Sequence, residues 1–171
     1  MRQSQILNLG RDGDGVYLVL TPPAEPIVDG ERRFQIALGI VRRAVRRVSG
    51  VEADAPSGER SFRFAGSNEK AVVALAQRLH PQIHAIFAAP LTPKVVDRVL
   101  GISPSERSRW YKDGRLPHCG NSVIERGAHK IHFPLFPVAA ITRLAANPQI
   151  IEEWRRDDRA FENSPRRDQK D

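Results

Sequence analysis

The sequence predicts an α+β fold in consecutive parts, and three observations predict it. Short β-prone apolar runs open the chain at residues 5–9 and 16–20. Apolar residues then recur at steps of three and four over residues 31–48 and 67–79, the period of helices with one buried face. Residues 91–117 finally carry the start and stop signals of two short helices in succession. We therefore expect a small α+β unit over residues 1–90, a second unit over 91–146 that opens with a helix pair, a closing helix over 147–162 and a disordered tail over 163–171.

The runs QILNL and VYLVL flank the sequence GRDGDG and read as a hairpin. Asp12 and Asp14 lie in that turn, but the downstream ligands and closing Glu of a calcium loop are missing, so no metal is expected there. Pro22, Pro23 and Pro26 stiffen a connector. Phe34, Leu38, Val41, Val45 and Val48 then mark the buried face of a helix, flanked by Arg42, Arg43, Arg46 and Arg47. Those arginines read either as the solvated side of a packed helix or as a second basic surface for phosphates or an acidic partner. Residues 50–58 read as a loop, and 60–65 as a strand with Phe62 and Phe64 on one face. Ser67 is placed to cap a helix with Ala71, Val72, Leu75 and Leu79 on its apolar side, which Pro81 breaks or kinks before a second apolar piece at 83–89. The order is β-β-α-β-α; this unit is a candidate for dimerisation, for binding a protein partner or for sensing a ligand.

Residues 91–117, LTPKVVDRVLGISPSERSRWYKDGRLP, have the grammar of a helix-turn-helix. Thr92 and Pro93 form a cap-then-proline start, and Val95, Val96, Val99 and Leu100 give an apolar stripe. Gly101 suits the positive φ that stops a helix, Ile102 plugs the turn, and Ser103-Pro104 repeats the start signal. The second helix is expected to end at Lys112, before Asp113-Gly114. Trp110 should lock it against the first helix. Ser105, Arg107, Ser108, Arg109 and Lys112 are the short hydroxyls and long cations that reach phosphates and base edges.

With Arg115-Leu116-Pro117 following the helix pair, residues 91–146 resemble the winged helix-turn-helix of the MerR and excisionase-like family. The resemblance implies a basic wing over 118–127, a strand at HKIHFP and a helix packing back over 135–146. It also implies double-stranded DNA as partner, with the second helix in the major groove. Ser103, Ser105, Arg107, Ser108 and Arg109 would then meet bases or phosphates, and Lys112, Arg115 and Lys130 would neutralise phosphate. Arg126 and His129 would serve the wing. Arg107 stands where the family usually buries a β-branched residue, and the wing segment is longer than the family minimum.

Charge agrees with an anionic partner. The chain of 171 residues carries a formal +7, and residues 91–146 hold 9 Lys/Arg against 4 Asp/Glu, the densest excess in the molecule. No run is apolar enough to span a membrane and the N-terminus lacks a signal-peptide pattern, so a cytoplasmic, nucleoid-associated protein is expected. The lone Cys119 excludes an intramolecular disulfide. The histidine pairs His80/His84 and His129/His132 lack the paired-cysteine pattern of structural zinc, and no phosphate-cradling or nucleophile motif occurs. No metal, no cofactor and no catalytic residue is therefore expected, and an enzyme is disfavoured. The leading expectation is a sequence-specific DNA-binding protein, a prokaryotic or phage/plasmid transcriptional regulator or a recombination accessory factor. The alternative is a protein-interaction adaptor or antagonist built on a degenerate winged helix-turn-helix, favoured by Arg107 at an expected core position.

Overall fold

Strand β1 (Leu7–Asp12) pairs antiparallel with β2 (Gly15–Leu20), so that Leu7 meets Leu20 and Leu9 meets Leu18. The computed structural model describes residues 6–13, 15–53, 55, 58–64, 69–127 and 129–162. Helices and strands occur together along the chain, an α+β class, and it divides into two units, Met1–Ala89 and Pro90–Asp171.

In the first unit, α1 (Gly30–Arg46) follows β2, then β3 (Gly50–Ala53), β4 (Arg60–Phe64) and α2 (Glu69–Ala88). The sheet order is β1-β2-β4-β3, antiparallel throughout, so β2 and β3 run parallel with β4 between them, a split β-α-β arrangement. Period-two alternation puts Leu7, Leu18, Leu20, Phe62 and Phe64 on one face, where they form a single core with Phe34, Leu38, Val41 and Val45 of α1 and Val72, Leu75, Leu79, Ile83 and Phe87 of α2.

Two sequence expectations change here. Residues 50–53 are strand β3 rather than loop, giving β-β-α-β-β-α. Gly50 looks like a loop residue because of its composition, yet it opens the strand: a Cβ there would come within 2.5 Å of Val45 and 2.6 Å of Phe64. Pro81 does not break α2, which runs on to Ala88. The buried stripe from Val72 through Leu79 to Phe87 continues across the proline, and that packing holds the turn despite the lost N–H. The capping role of Ser67 and the turn residue Asp14 lie outside the described residues.

Arg33 is the buried charged side chain among the described residues. Its Nη1 donates to the carbonyls of Ile86 and Phe87, and Nη2 donates to that of Ala89 at 2.7 Å, so a cation caps the exposed carbonyl end of α2. Burial lowers its pKa against the opposing charge of Asp29, and its Nε has no hydrogen-bond partner.

The second unit contains α3 (Pro93–Leu100), α4 (Pro104–Lys112), β5 (Asn121–Arg126), β6 (His129–Pro134), α5 (Val138–Ala145) and α6 (Pro148–Glu162). Its buried side chains come from every helix and from the joints between them: Leu91, Val96, Ile102, Trp110, Phe136 and Ile141 are among them. Leu91 and Phe136 exchange backbone hydrogen bonds of 2.8 and 3.0 Å, and Cys119 N–H donates to Leu135 at 2.8 Å. These bonds tie the base of the β5–β6 ribbon to the segment that enters α3.

Candidate nucleic-acid interface

Helix α3 ends as its sequence suggests. Gly101 adopts φ +62° and its N–H returns to the Asp97 carbonyl, a conformation that costs glycine little. Thr92 occupies the N-cap of α3, but its side chain makes no capping bond; the expected hydroxyl cap is absent and its backbone carbonyl instead receives Val95 and Val96. Ser103 does cap α4. Its Oγ accepts from Glu106 N–H at 3.1 Å, and the Glu106 carboxylate accepts from Ser103 N–H at 2.7 Å, a complete capping box. Ser103 is thus held by the helix start, with only its O–H proton free to reach a ligand.

Trp110 is fully buried, as its helical position predicted, and its ring and N–H also find partners on α6. The Trp110 and Trp154 rings meet edge to face at 5.0 Å, and Trp110 Nε1 donates to Asp158 at 2.9 Å. Phe161 of the same helix is 84% exposed.

Asp158 also draws in two of the expected DNA contacts. Arg109 lies 3.0 Å from its Oδ2 and 3.1 Å from Glu162, while Arg115 reaches its Oδ1 at 2.6 Å. Arg115 further pairs with Asp113 at 2.6 Å, donates to the Trp154 carbonyl at 3.3 Å and lies over both indole rings at 5.7 and 5.9 Å. Arg115, expected to neutralise phosphate, thus joins α6 to the end of α4. The hydrogen bonds it donates to Asp113 and then to Asp158 raise its pKa further, so it stays charged at every relevant pH.

The fold engages Arg107 in the same way. It turns back to Asp97 on α3 at 3.0 Å, half-buried, and so stands on neither an exposed stripe nor an apolar core position. Burial raises the Asp97 carboxyl against the lowering effect of Arg107. The cation at this position is paired within the unit.

What remains on the free side of α4 is a stripe at i, i+3, i+4 and i+7: Ser105, Ser108, Arg109 and Lys112. All four are exposed and together with Pro104 they line one shallow depression. Arg109 belongs to both settings, since it keeps 46% of its side chain exposed while pairing with Asp158 and Glu162.

A fourth clamp escaped the sequence reading. Arg155 on α6 donates to Glu106 at 2.7 Å and to the Gly101 carbonyl at 2.8 Å, gripping the turn and the start of α4 together. The Arg155 hydrogen bond holds the Glu106 carboxyl below its usual range. Only the acidic character of 152–158 hinted at such pairing, since partners roughly fifty residues apart leave no local pattern.

The ribbon β5–β6 pairs Arg126 with His129 beside its turn, and Glu125 with Lys130. His129 and Lys130 are exposed, Lys130 lying 3.7 Å from Glu125; the Arg126 side chain lies outside what is described. Val123, Ile124 and Ile131 are 45–55% exposed on the same ribbon. In the first unit, Arg42 bonds bidentately to Glu52 at 2.8 Å, whereas Arg43, Arg46 and Arg47 are exposed.

Among the described residues, no group of three His, Cys, Asp or Glu is placed to hold a metal ion, and no helix is long and apolar enough to cross a membrane. No protein-family model, no curated protein and no solved structure matches this chain.

Proposed function

We propose that the protein binds double-stranded DNA and reads its sequence with the free stripe of α4, acting as a transcriptional regulator or a recombination accessory factor. The observation that carries this reading is the two-sided character of α4. One side is fixed by Trp110, Arg107 and Glu106 to the neighbouring helices; the other presents Ser105, Ser108, Arg109 and Lys112 to solvent. A nine-residue helix is about 13 Å long and fits a major groove about 12 Å wide. A helix held rigidly on one side loses little freedom on binding, which favours a reading role.

On this reading, Ser105 and Ser108 meet base edges or phosphates near the start of the helix, and Lys112 neutralises phosphate at its end. Arg109 acts at the margin, sharing its charge with Glu162. The order α3, turn, α4, ribbon, α5 supports the resemblance to the winged helix-turn-helix of the MerR and excisionase-like family, with Lys130 and His129 as wing contacts. DNA binding of this kind implies association with the nucleoid.

The test is selection of the purified chain against a random duplex library at about 150 mM salt, where non-specific binding is weakened. An enriched motif is expected. Uniform recovery of all duplexes would overturn the proposal.

The apolar Val123, Ile124 and Ile131 on the ribbon, together with Asp158 and Glu162 beside α4, favour a second reading as a protein-interaction adaptor. It predicts weak, unselective DNA binding from the same experiment.

A further inference from the structure

The first unit has cations that its own fold does not consume. Arg43 on α1 and Arg47 at its C-cap are one helical turn apart, and Arg78 comes from α2 to the same groove of about 450 Å3. Gln82 adds an amide, and the groove lining includes Ile40 and Ala44. No carboxylate lines the groove, and among the described residues none of the three arginines has a carboxylate partner. Arg42 contrasts with them, being bound to Glu52.

From this groove we infer a second, sequence-independent hold on DNA, in which Arg43, Arg47 and Arg78 grip backbone phosphates. The inference rests on the DNA-binding reading above. Guanidinium groups match phosphate oxygens with two parallel N–H donors, and the Gln82 amide, one N–H of which donates to the Arg78 carbonyl at 3.2 Å, has a second N–H to offer. An acidic protein segment is the competing occupant. Protein docking draws its affinity from apolar anchors seated in pockets. Here the apolar lining is already covered: Leu79 is 1% exposed and Ile40 and Ala44 are half-buried. The groove offers charge and donors rather than an apolar seat, which is what a phosphodiester backbone uses. Sequence alone pointed to the α1 arginines and missed Arg78, because only the packing of α2 on α1 brings it alongside.

The experiment is a salt titration of the full chain on a mixed-sequence duplex, comparing the wild type with Arg43→Gln/Arg47→Gln/Arg78→Gln. A control, Arg11→Gln/Arg32→Gln/Lys70→Gln, removes the same formal charge from exposed sites of the same unit. Circular dichroism checks that both variants fold. Each phosphate contact contributes about 0.9 to the slope of log K against log salt, so the groove variant should lose roughly 2–3 units. The control should lose less than about one. Equal losses in both variants would reduce the effect to net charge and overturn the inference, as would an unchanged slope in the groove variant, the result an acidic-protein groove would give. A wild type that binds no duplex at any salt would overturn the DNA reading itself, an outcome separate from an unchanged slope.

Discussion

Each unit holds a set of three arginines, and the two sets are used in opposite ways. In the second, Arg107, Arg115 and Arg155 are spent inside the fold on Asp97, Asp113, Asp158 and Glu106, and they hold three helices in register around α4. In the first, Arg43, Arg47 and Arg78 surround a groove with no carboxylate, while a hydrophobic core of fifteen buried residues carries the fold without them. A basic residue near a suspected recognition helix is thus not by itself a DNA contact. What it can offer depends on how fully a carboxylate engages it and how much of it stays exposed, as Arg109 and Lys130 do at 46% and 68%.

The largest effect that would break this contrast is Asp158→Ala. Asp158 is 12% exposed and satisfies Trp110, Arg109 and Arg115 at once, so its loss should cost roughly 2–3 kcal/mol of stability. Urea unfolding followed by tryptophan fluorescence reads this directly, because Trp110 and Trp154 both lie at the site. A change below about 0.5 kcal/mol, typical of a surface site, would mean that the cluster holds nothing together. Ser103→Ala should cost less, about 1 kcal/mol, through loss of the capping box, and the same unfolding curve measures it.

A smaller effect is expected from acid. A hydrogen bond from Arg155 lowers the Glu106 carboxyl, and one from Arg115 lowers that of Asp113. Burial pushes Asp158 up, but its bonds to Arg115 and Trp110 and the nearby Arg charges outweigh that and leave it low. For depressed carboxyls the unfolded chain binds more protons once pH drops toward the unfolded values near 4. Their contribution is therefore whole above about pH 5 and is lost below about pH 4 as pH falls toward the folded-state values. Asp97 acts in reverse, since its raised carboxyl gains a proton more readily in the fold, and it offsets part of the loss. Thermal melts should be level from about pH 5 to 7 and fall below about pH 4, with a shallower fall in Asp158→Asn. Identical acid profiles in the two proteins would show that the cluster does not govern the response. The smallest effect is Arg47→Ala, within about 0.5 kcal/mol in the same melts; a larger loss would mean that the groove arginines hold the fold as well.

The legibility of the fold follows the same division between local and distant. The α3–turn–α4 boundaries were readable because caps, prolines and Gly101 act within four residues of where they stand. Strand β3 was not, because four residues of sequence GVEA carry no period and owe their form to pairing with β4. The run of α2 through Pro81 was hidden because packing on the sheet outweighs the local cost of proline. At the site, the exposed Ser105, Ser108 and Lys112 were legible from helical spacing. The capture of Arg107 and Arg115 was not: Arg107 is paired ten residues away, and Arg115 with Asp158 forty-three away.

The measurement that bears most directly on the role of α4 is duplex selection run in parallel on the wild type and on Ser105→Ala/Ser108→Ala/Lys112→Ala. These substitutions touch only the free stripe and leave the Trp110, Arg107 and Glu106 anchors in place, so circular dichroism should show both chains folded. The expected result is an enriched motif for the wild type, with binding to it weakened by at least about 1–3 kcal/mol in the variant and its preference over scrambled sequence relaxed. The same motif, bound by the variant with undiminished preference, would contradict a reading role for α4.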